Sequence, residues 1–281
     1  MDSSYLSLLI FVIITILYYS FIKTSLTTSI IEDSEQYLQY SSANNISLLI
    51  YLMLVIVSQF GLNASIISTK CGGSITQNIG SAFLMTFIPW IFIFGGVMAI
   101  LFIFPGFKSA FSNVIGYFAV AGRANNILTE LLENTEISKT IDDATVGNTE
   151  KNQNLKSAAD AIIKLCGNMS ILINQIVPSN FTEYWTMLIP LMKDKYRASV
   201  PVELKQELLN TVVLRDNIGE ALWYIYTAVL LISIVQYKIA STDCNKDLST
   251  LQEGQEKFQK EQAQIVADNK QTTSKIYTIN G

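Results

Sequence analysis

The sequence predicts an all-α membrane protein. It has four membrane-spanning helices, a helical extramembrane domain between the third and fourth, and a polar helical C-terminal tail. Three observations carry this reading. Half of the 281 residues are apolar, only 15% are charged, and mean hydropathy is +0.34, whereas an ordinary soluble domain carries about a quarter charged residues. The charge is also unevenly placed, since before Lys108 the charged residues are Asp2, Lys23, Glu32, Asp33, Glu35 and Lys70 alone. Finally, four apolar runs lack any Asp, Glu, Lys or Arg. Their lengths approach the ~20 residues a helix needs to cross a hydrocarbon layer of ~30 Å.

The first run covers residues 5–22. A secretory signal would have a basic start and a shorter apolar stretch. This chain starts Met-Asp-Ser-Ser, so the run reads as an uncleaved span. The second covers 46–62. The third, 82–104, is the longest and fits the bilayer with some tilt. The fourth covers 221–237, with Trp223 and Tyr224 at its start and Tyr237 at its end, aromatic residues suited to the two interfaces. The chain therefore divides into a three-span region (1–107), an interfacial helix plus helical extramembrane domain (108–220), the fourth span (221–237) and a polar tail (238–281). Four crossings put the N-terminus, the loop 63–81 and the tail on one side. The loop 23–45 and the segment 108–220 lie on the other. Lys70, Lys238 and Lys246 flank the membrane on the first side, and Lys23, Lys108, Arg123 and Arg215 on the second. That distribution carries no positive-inside bias.

Within 108–220 the pattern predicts a short helix over 124–134 and a polar loop to 154. A helix with Leu155, Ala159, Ile162, Cys166, Met169, Ile173 and Val177 on one face then ends at Pro178. A further amphipathic piece over 181–192 is kinked or ended by Pro190. From Val202 the pattern runs through Arg215 and Asp216 directly into the fourth span. In the tail, Leu251, Phe258 and Ile265 recur every seven residues, with Leu248, Gln255 and Gln262 on the partner register. This reads either as a short coiled coil or as a solvated helix.

Composition excludes much chemistry. The chain has no histidine and three cysteines, which removes Ser-His-Asp and Cys-His nucleophile pairs, His-based zinc sites and a closed four-thiolate zinc site. A net charge of −4 with no Lys/Arg cluster argues against nucleic acid as a partner. No enzymatic activity, cofactor or metal is expected.

Four features remain as candidate sites. Pro89-Trp90 and Gly95-Gly96 interrupt the third span. They suit either close helix packing and a kink or the broken helix of a transporter. The absence of intramembrane charge favours packing. Next, Pro105-Gly106 breaks the chain at the interface. After it Phe107, Phe111, Val114, Ile115 and Phe118 share one helical face, with Ser109, Ser112 and Asn113 opposite. A helix lying in the headgroup plane, aromatic side down, has this composition, and partner docking is the other reading. Asp216 and Glu220 lie four apart just before the fourth span, where they would cap or solvate its start more readily than perform acid–base work. Lastly, the crossing count places Cys71 and Cys244 on one side and Cys166 on the other. A Cys71–Cys244 disulfide is thus geometrically allowed, and three reduced thiols are the alternative.

Two blocks of the chain, about a third of it, form a recognisable series. The first runs Asn78-Ile-Gly-Ser-Ala-Phe, Thr86-Phe-Ile-Pro-Trp90, Ile93-Phe-Gly95, Phe104-Pro-Gly-Phe-Lys108, Phe111-Ser-Asn113 and Gly116-Tyr117. The second runs Arg215-Asp-Asn-Ile-Gly-Glu220, Trp223-Tyr224 and Cys244. The series resembles a membrane protein family of the nucleocytoplasmic large DNA viruses, the group that includes the algal phycodnaviruses. In that pattern a Trp follows Pro-Gly, a Pro precedes Phe-Ser-Asn and a Tyr-Asn pair follows the last span. This chain has Phe107, Ala110 and Tyr237-Lys238 there. The resemblance implies a structural role as a minor capsid component in the virion inner membrane, reached through a host intracellular membrane during assembly. It implies the lipid bilayer and capsid or other virion membrane proteins as partners, in a homo- or hetero-oligomer. Viruses of this group often encode a thiol oxidase, which would favour the Cys71–Cys244 pair. A channel or transporter subunit and an entry or fusion component are the competing readings.

Overall fold

A computed structural model describes residues 3–72, 75–132, 169–197, 199, 201–242, 244, 252 and 255–267. Among them the regular structure is helical, apart from one isolated bridge between Leu132 and Met192. Four helices are long and apolar enough to cross a membrane. Helix α1 (Ser3–Ile22) widens into a π turn from Tyr18. A short α2 (Thr28–Glu32) leads to the 38-residue α3 (Ser34–Cys71). The third crossing is α4 (Ile75–Pro89), a π turn over Trp90–Phe94 and α5 (Gly95–Ile103). The chain then turns through a 3₁₀ segment (Pro105–Lys108), α6 (Ser109–Phe111) and a second π turn (Ser112–Gly116) into α7 (Tyr117–Leu131). Three short helices follow: α8 (Met169–Gln175), α9 (Phe181–Leu188) and α10 (Asp194–Arg197). The last crossing belongs to α11 (Val202–Ser241), 40 residues long, and α12 covers residues 255–267.

The helices outrun the apolar runs that announce them. Residues 23–45 and 63–81, expected as loops, are largely helix. Hydropathy marks where a helix meets lipid, whereas its ends are set by caps and by Gly or Pro. Asp33 starts α3 by accepting from the backbone N–H groups of Glu35 and Gln36 at 2.9 and 3.1 Å. Gly72, with φ 71°, stops it in a conformation other residues adopt at a cost. Likewise α7 starts at Tyr117, upstream of the expected 124. Ile189-Pro190-Leu191 ends α9 in a 3₁₀ turn, because Pro190 cannot donate the next helical bond.

The bundle is apolar outside and partly polar inside. Phe21, Leu49, Phe92, Phe102, Leu230 and Ile234 are exposed, while Ser7, Thr15, Gln59, Asn63 and Thr86 are buried. This arrangement suits a bilayer, where lipid solvates the exterior and polar side chains must find partners within. One chain of hydrogen bonds links all four crossings. Ser3 Oγ donates to Gln236 Oε1 (3.1 Å), Gln236 Nε2 to Asn63 Oδ1 (3.0 Å) and Asn63 Nδ2 to Thr86 Oγ1 (3.0 Å). Closer to the head, Thr15 Oγ1 and Tyr51 OH pair at 2.8 Å. The bundle centre is filled by Phe11, Tyr51, Trp90, Phe94 and Tyr224, with ring centroids 5.4–5.9 Å apart in the Phe11–Trp90, Phe11–Phe94 and Phe94–Tyr224 pairs.

The head has its own core. Ile127, Leu128 and Leu131 of α7, Ile173 and Ile176 at α8, and Phe181 and Trp185 of α9 pack on Leu208, Leu209 and Val212 of α11. The same helix supplies Tyr224, Ala228 and Leu231 to the bundle core, and Val235 and Ile239 to a small cluster at the far end. At about 1.5 Å per residue α11 is about 60 Å long, twice the hydrocarbon thickness. It thus belongs half to the bundle and half to the head.

At the end of the bundle distal to the head, Cys71 and Cys244 form a disulfide with Cα atoms 5.2 Å apart. Beside it Lys70 Nζ donates to the carbonyls of Ile239 (2.8 Å), Ala240 (2.6 Å) and Thr242 (2.9 Å), satisfying the free acceptors at the end of α11. Cys166 and the expected face from Leu155 to Ile162 lie outside the described residues, as do Leu248 and Leu251. Gln255, Phe258, Gln262 and Ile265 of the seven-residue stripe are all exposed on α12. The disulfide is testable by thiol labelling. Denatured, unreduced protein should take up a maleimide–polyethylene glycol at Cys166 alone, and Cys166→Ser should abolish labelling until a reductant exposes two further thiols.

Candidate functional site: the charged junction between bundle and head

Where the bundle meets the head, four charged side chains from three segments converge. Lys23 ends the first crossing, Lys108 follows the third, and Asp216 and Glu220 occupy successive turns of α11. Lys108 Nζ lies 2.7 Å from Glu220 Oε2 and 3.3 Å from Asp216 Oδ2. Lys23 Nζ lies 3.4 Å from Glu220 Oε2 and donates to Asn217 Oδ1 at 2.8 Å. Tyr224 OH donates to Glu220 Oε1 at 3.1 Å. The Glu220 side chain is 6% exposed, so two ammonium groups and a phenol replace the water it would otherwise bind. Burial pulls the Lys108 ammonium down, but the Glu220 and Asp216 carboxylates outweigh it and push its pKa up to about 12. Lys23 goes the other way. Burial lowers its pKa, and the shared Glu220 charge offsets this only in part.

Two glycines let the elements approach. A Cβ on Gly219 would fall 2.7 Å from Ser112 Cβ, 2.8 Å from Ser112 N and 2.9 Å from the Lys108 carbonyl. One on Gly116 would fall 2.6 Å from the Arg215 carbonyl. The Pro105–Gly116 turn thus lies directly on the backbone of α11, and this contact carries Lys108 to Glu220. Trp223 Nε1 donates to the Phe107 carbonyl at 2.9 Å, and its ring lies 5.1 Å from Phe111. Arg215, fully buried, donates to the carbonyls of Ile173 and Ile176 at the C-terminal end of α8, at 2.8 Å for Ile176. Asn174 Nδ2 donates to the Asn113 carbonyl at 3.2 Å, and Tyr117 packs partly buried against the head core.

Several expectations are corrected by this geometry. Asp216 and Glu220 do not cap a helix start, because α11 begins at Val202 and places both in mid-helix, where they meet lysines. The segment after Pro105 is amphipathic as expected, with Phe107, Val114, Ile115 and Phe118 exposed. Its small face is divided, however, with Ser109 exposed and Asn113 half-buried. Ser112 and Gly116 are buried on α11. Pro89 leads into the π turn that sets Trp90 in the bundle core. Among the described residues of the chain, no backbone from another helix lies close to Gly95 or Gly96. A Cβ on Gly95 would meet Leu52 at an ordinary 4.0 Å, and one on Gly96 would meet nothing within 4 Å. From the sequence, Lys23 stands out only as a flanking charge, and Asn217 and Gly219 only within the Arg215–Glu220 series, none with a site role. The available signal was the spacing of Arg215, Gly219 and Glu220 on a helix running unbroken into a span.

The junction encloses a cavity of about 350 Å³, lined among others by Lys23, Asn44, Lys108, Asn113, Asp216 and Glu220. Among the described residues no cluster of Cys, Asp and Glu suits a metal ion. No family model, curated protein or solved structure matches the chain.

Gly219→Ala should destabilise the detergent-solubilised protein by about 1–3 kcal/mol through overpacking, whereas Gly96→Ala should be neutral or stabilising by up to about 1 kcal/mol. Thermal unfolding separates the two. Glu220→Gln leaves two buried ammonium groups short of their carboxylate and should cost about 3–5 kcal/mol. Glu207→Gln, which breaks the half-exposed 3.1 Å pair with Arg123, should cost less than about 1 kcal/mol.

Proposed function

We propose that this chain is a structural protein of a virion inner membrane, a minor capsid component. Its bundle fixes it in lipid, and its helical head makes contact with capsid or other virion membrane proteins. It acts through shape and contact rather than catalysis, and it reaches the particle through a host intracellular membrane. The observation that supports the reading best is α11, which carries both the bundle core and the head core on one helix. A force or a binding event at the head is thereby transmitted to the membrane without a flexible linker. The aromatic filling of the bundle centre speaks for an anchor over a channel, since a conducting path needs a wet or ionisable lining. The resemblance of the Pro-Trp, Pro-Gly and Phe-Ser-Asn series supplies the viral setting.

The test is stepwise stripping of purified virions with quantitative mass spectrometry of each fraction. The proposal expects this protein at a fixed ratio to the major capsid protein, remaining with the lipid layer until detergent is added. Abundance in infected-cell membranes with absence from particles would overturn it.

A further inference from the structure

We infer that the junction cavity is a binding site for the headgroup of a zwitterionic phospholipid, with one acyl chain along an adjoining apolar groove. The inference rests on the membrane setting alone and is independent of any virion role.

The cavity stands at the level where the four crossings leave the hydrocarbon. Lys23 closes the first apolar run, Asn44 precedes the second, Phe102 and Pro105 close the third, and Glu220 precedes the fourth. A volume of about 350 Å³ lies within the range of small-molecule sites. Its charges are of both signs and sum to zero, so the site offers no net attraction to an anionic lipid. It offers instead a cation and an anion side by side. Lys108 Nζ spends two of its three hydrogens on Glu220 and Asp216, leaving one for a phosphate oxygen. Asp216 accepts from Lys108 through Oδ2, leaving Oδ1 for an ammonium group. Both side chains retain a sixth or so of their surface, 16% and 17%, so a ligand can reach them.

The second observation is the neighbouring groove. Ile103, Phe104, Phe107 and Ala110 line an open apolar surface that shares Pro105, Gly106 and Ser109 with the cavity. A polar, doubly charged pocket beside an apolar groove at the bilayer edge, the two sharing Pro105, Gly106 and Ser109, matches an amphiphile. A free phosphate or free amine would leave the groove unused. The phosphate sits toward Lys108, the ammonium toward Asp216, and the chain descends past Pro105 along Phe104.

Native mass spectrometry of the full chain from mild detergent tests this. The protein is mixed with equal amounts of dioleoyl phosphatidylethanolamine and dioleoyl phosphatidylglycerol, and separately with soluble glycerophosphoethanolamine. The inference expects one phosphatidylethanolamine retained about tenfold over phosphatidylglycerol, with no retention of the soluble headgroup. Asp216→Asn should bring the ratio to about one or below, since it removes the ammonium's partner and leaves the site net positive. Ala110→Trp, at an exposed groove position away from the charge cluster, should lower phosphatidylethanolamine retention at unchanged thermal stability. Equal retention of both lipids, preference for phosphatidylglycerol, or equal binding of the soluble headgroup would overturn the inference. Ala110→Trp reads the site even if Asp216→Asn disturbs folding.

Discussion

A helix that serves two solvents must lose its charge at the boundary between them, and α11 is built around that constraint. Its first half packs in a head that meets water and its second half in a bundle that meets lipid. Glu220 sits at the crossing point, where an unpaired carboxylate would cost several kcal/mol. The rest of the junction answers that cost. Lys23 arrives from the end of the first crossing and Lys108 from the turn after the third, and Tyr224 donates from one turn below. Three chain segments are thereby fixed to one carboxylate. Gly116 and Gly219 exist in the same service, because Lys108 reaches Glu220 only if its turn lies against the α11 backbone.

On either side of Glu220, α11 is secured by other means. At the head, Arg215 ties α8 to the helix through carbonyls that would otherwise lack donors. At the far end, Lys70 and the Cys71–Cys244 disulfide hold its last turn to α3. Between them the interhelical bonds through Asn63 and Gln236 set the register of the crossings. Each such bond in a bilayer is worth only about 0.6 kcal/mol, so these fix geometry more than they stabilise. The aromatic centre supplies the bulk of the packing.

Much of this was legible in the sequence, and the remainder was not for physical reasons. The four spans follow from apolar runs that no soluble core needs, and the continuity of α11 followed from helical spacing carried through Arg215 and Asp216. The amphipathic face after Pro105 was legible too, with its apolar side exposed, but the docking of Ser112 on α11 was not. A small polar residue opposite the aromatics gives the same pattern whether it meets water or a neighbouring helix, so nothing in the sequence separates Ser112, docked on α11, from the exposed Ser109. The role of Lys23 could not be read because it is set by a contact across 197 residues. Gly95-Gly96 looked like a close-approach motif, whereas the glycines that permit close approach are Gly116 and Gly219. Spacing along one helix does not reveal which partner backbone lies opposite.

One rigid helix, α11, crosses from head to bundle. Spin labels on Glu203→Cys and Ser241→Cys, in a Cys166→Ser background with the native disulfide intact, measure it directly by pulsed electron–electron resonance in lipid nanodiscs. A continuous helix predicts a single narrow distance near 57 Å between the two backbone positions, at about 1.5 Å for each intervening residue. A broad distribution, or a dominant distance below about 45 Å, would mean a hinge at the charged layer and would contradict the account.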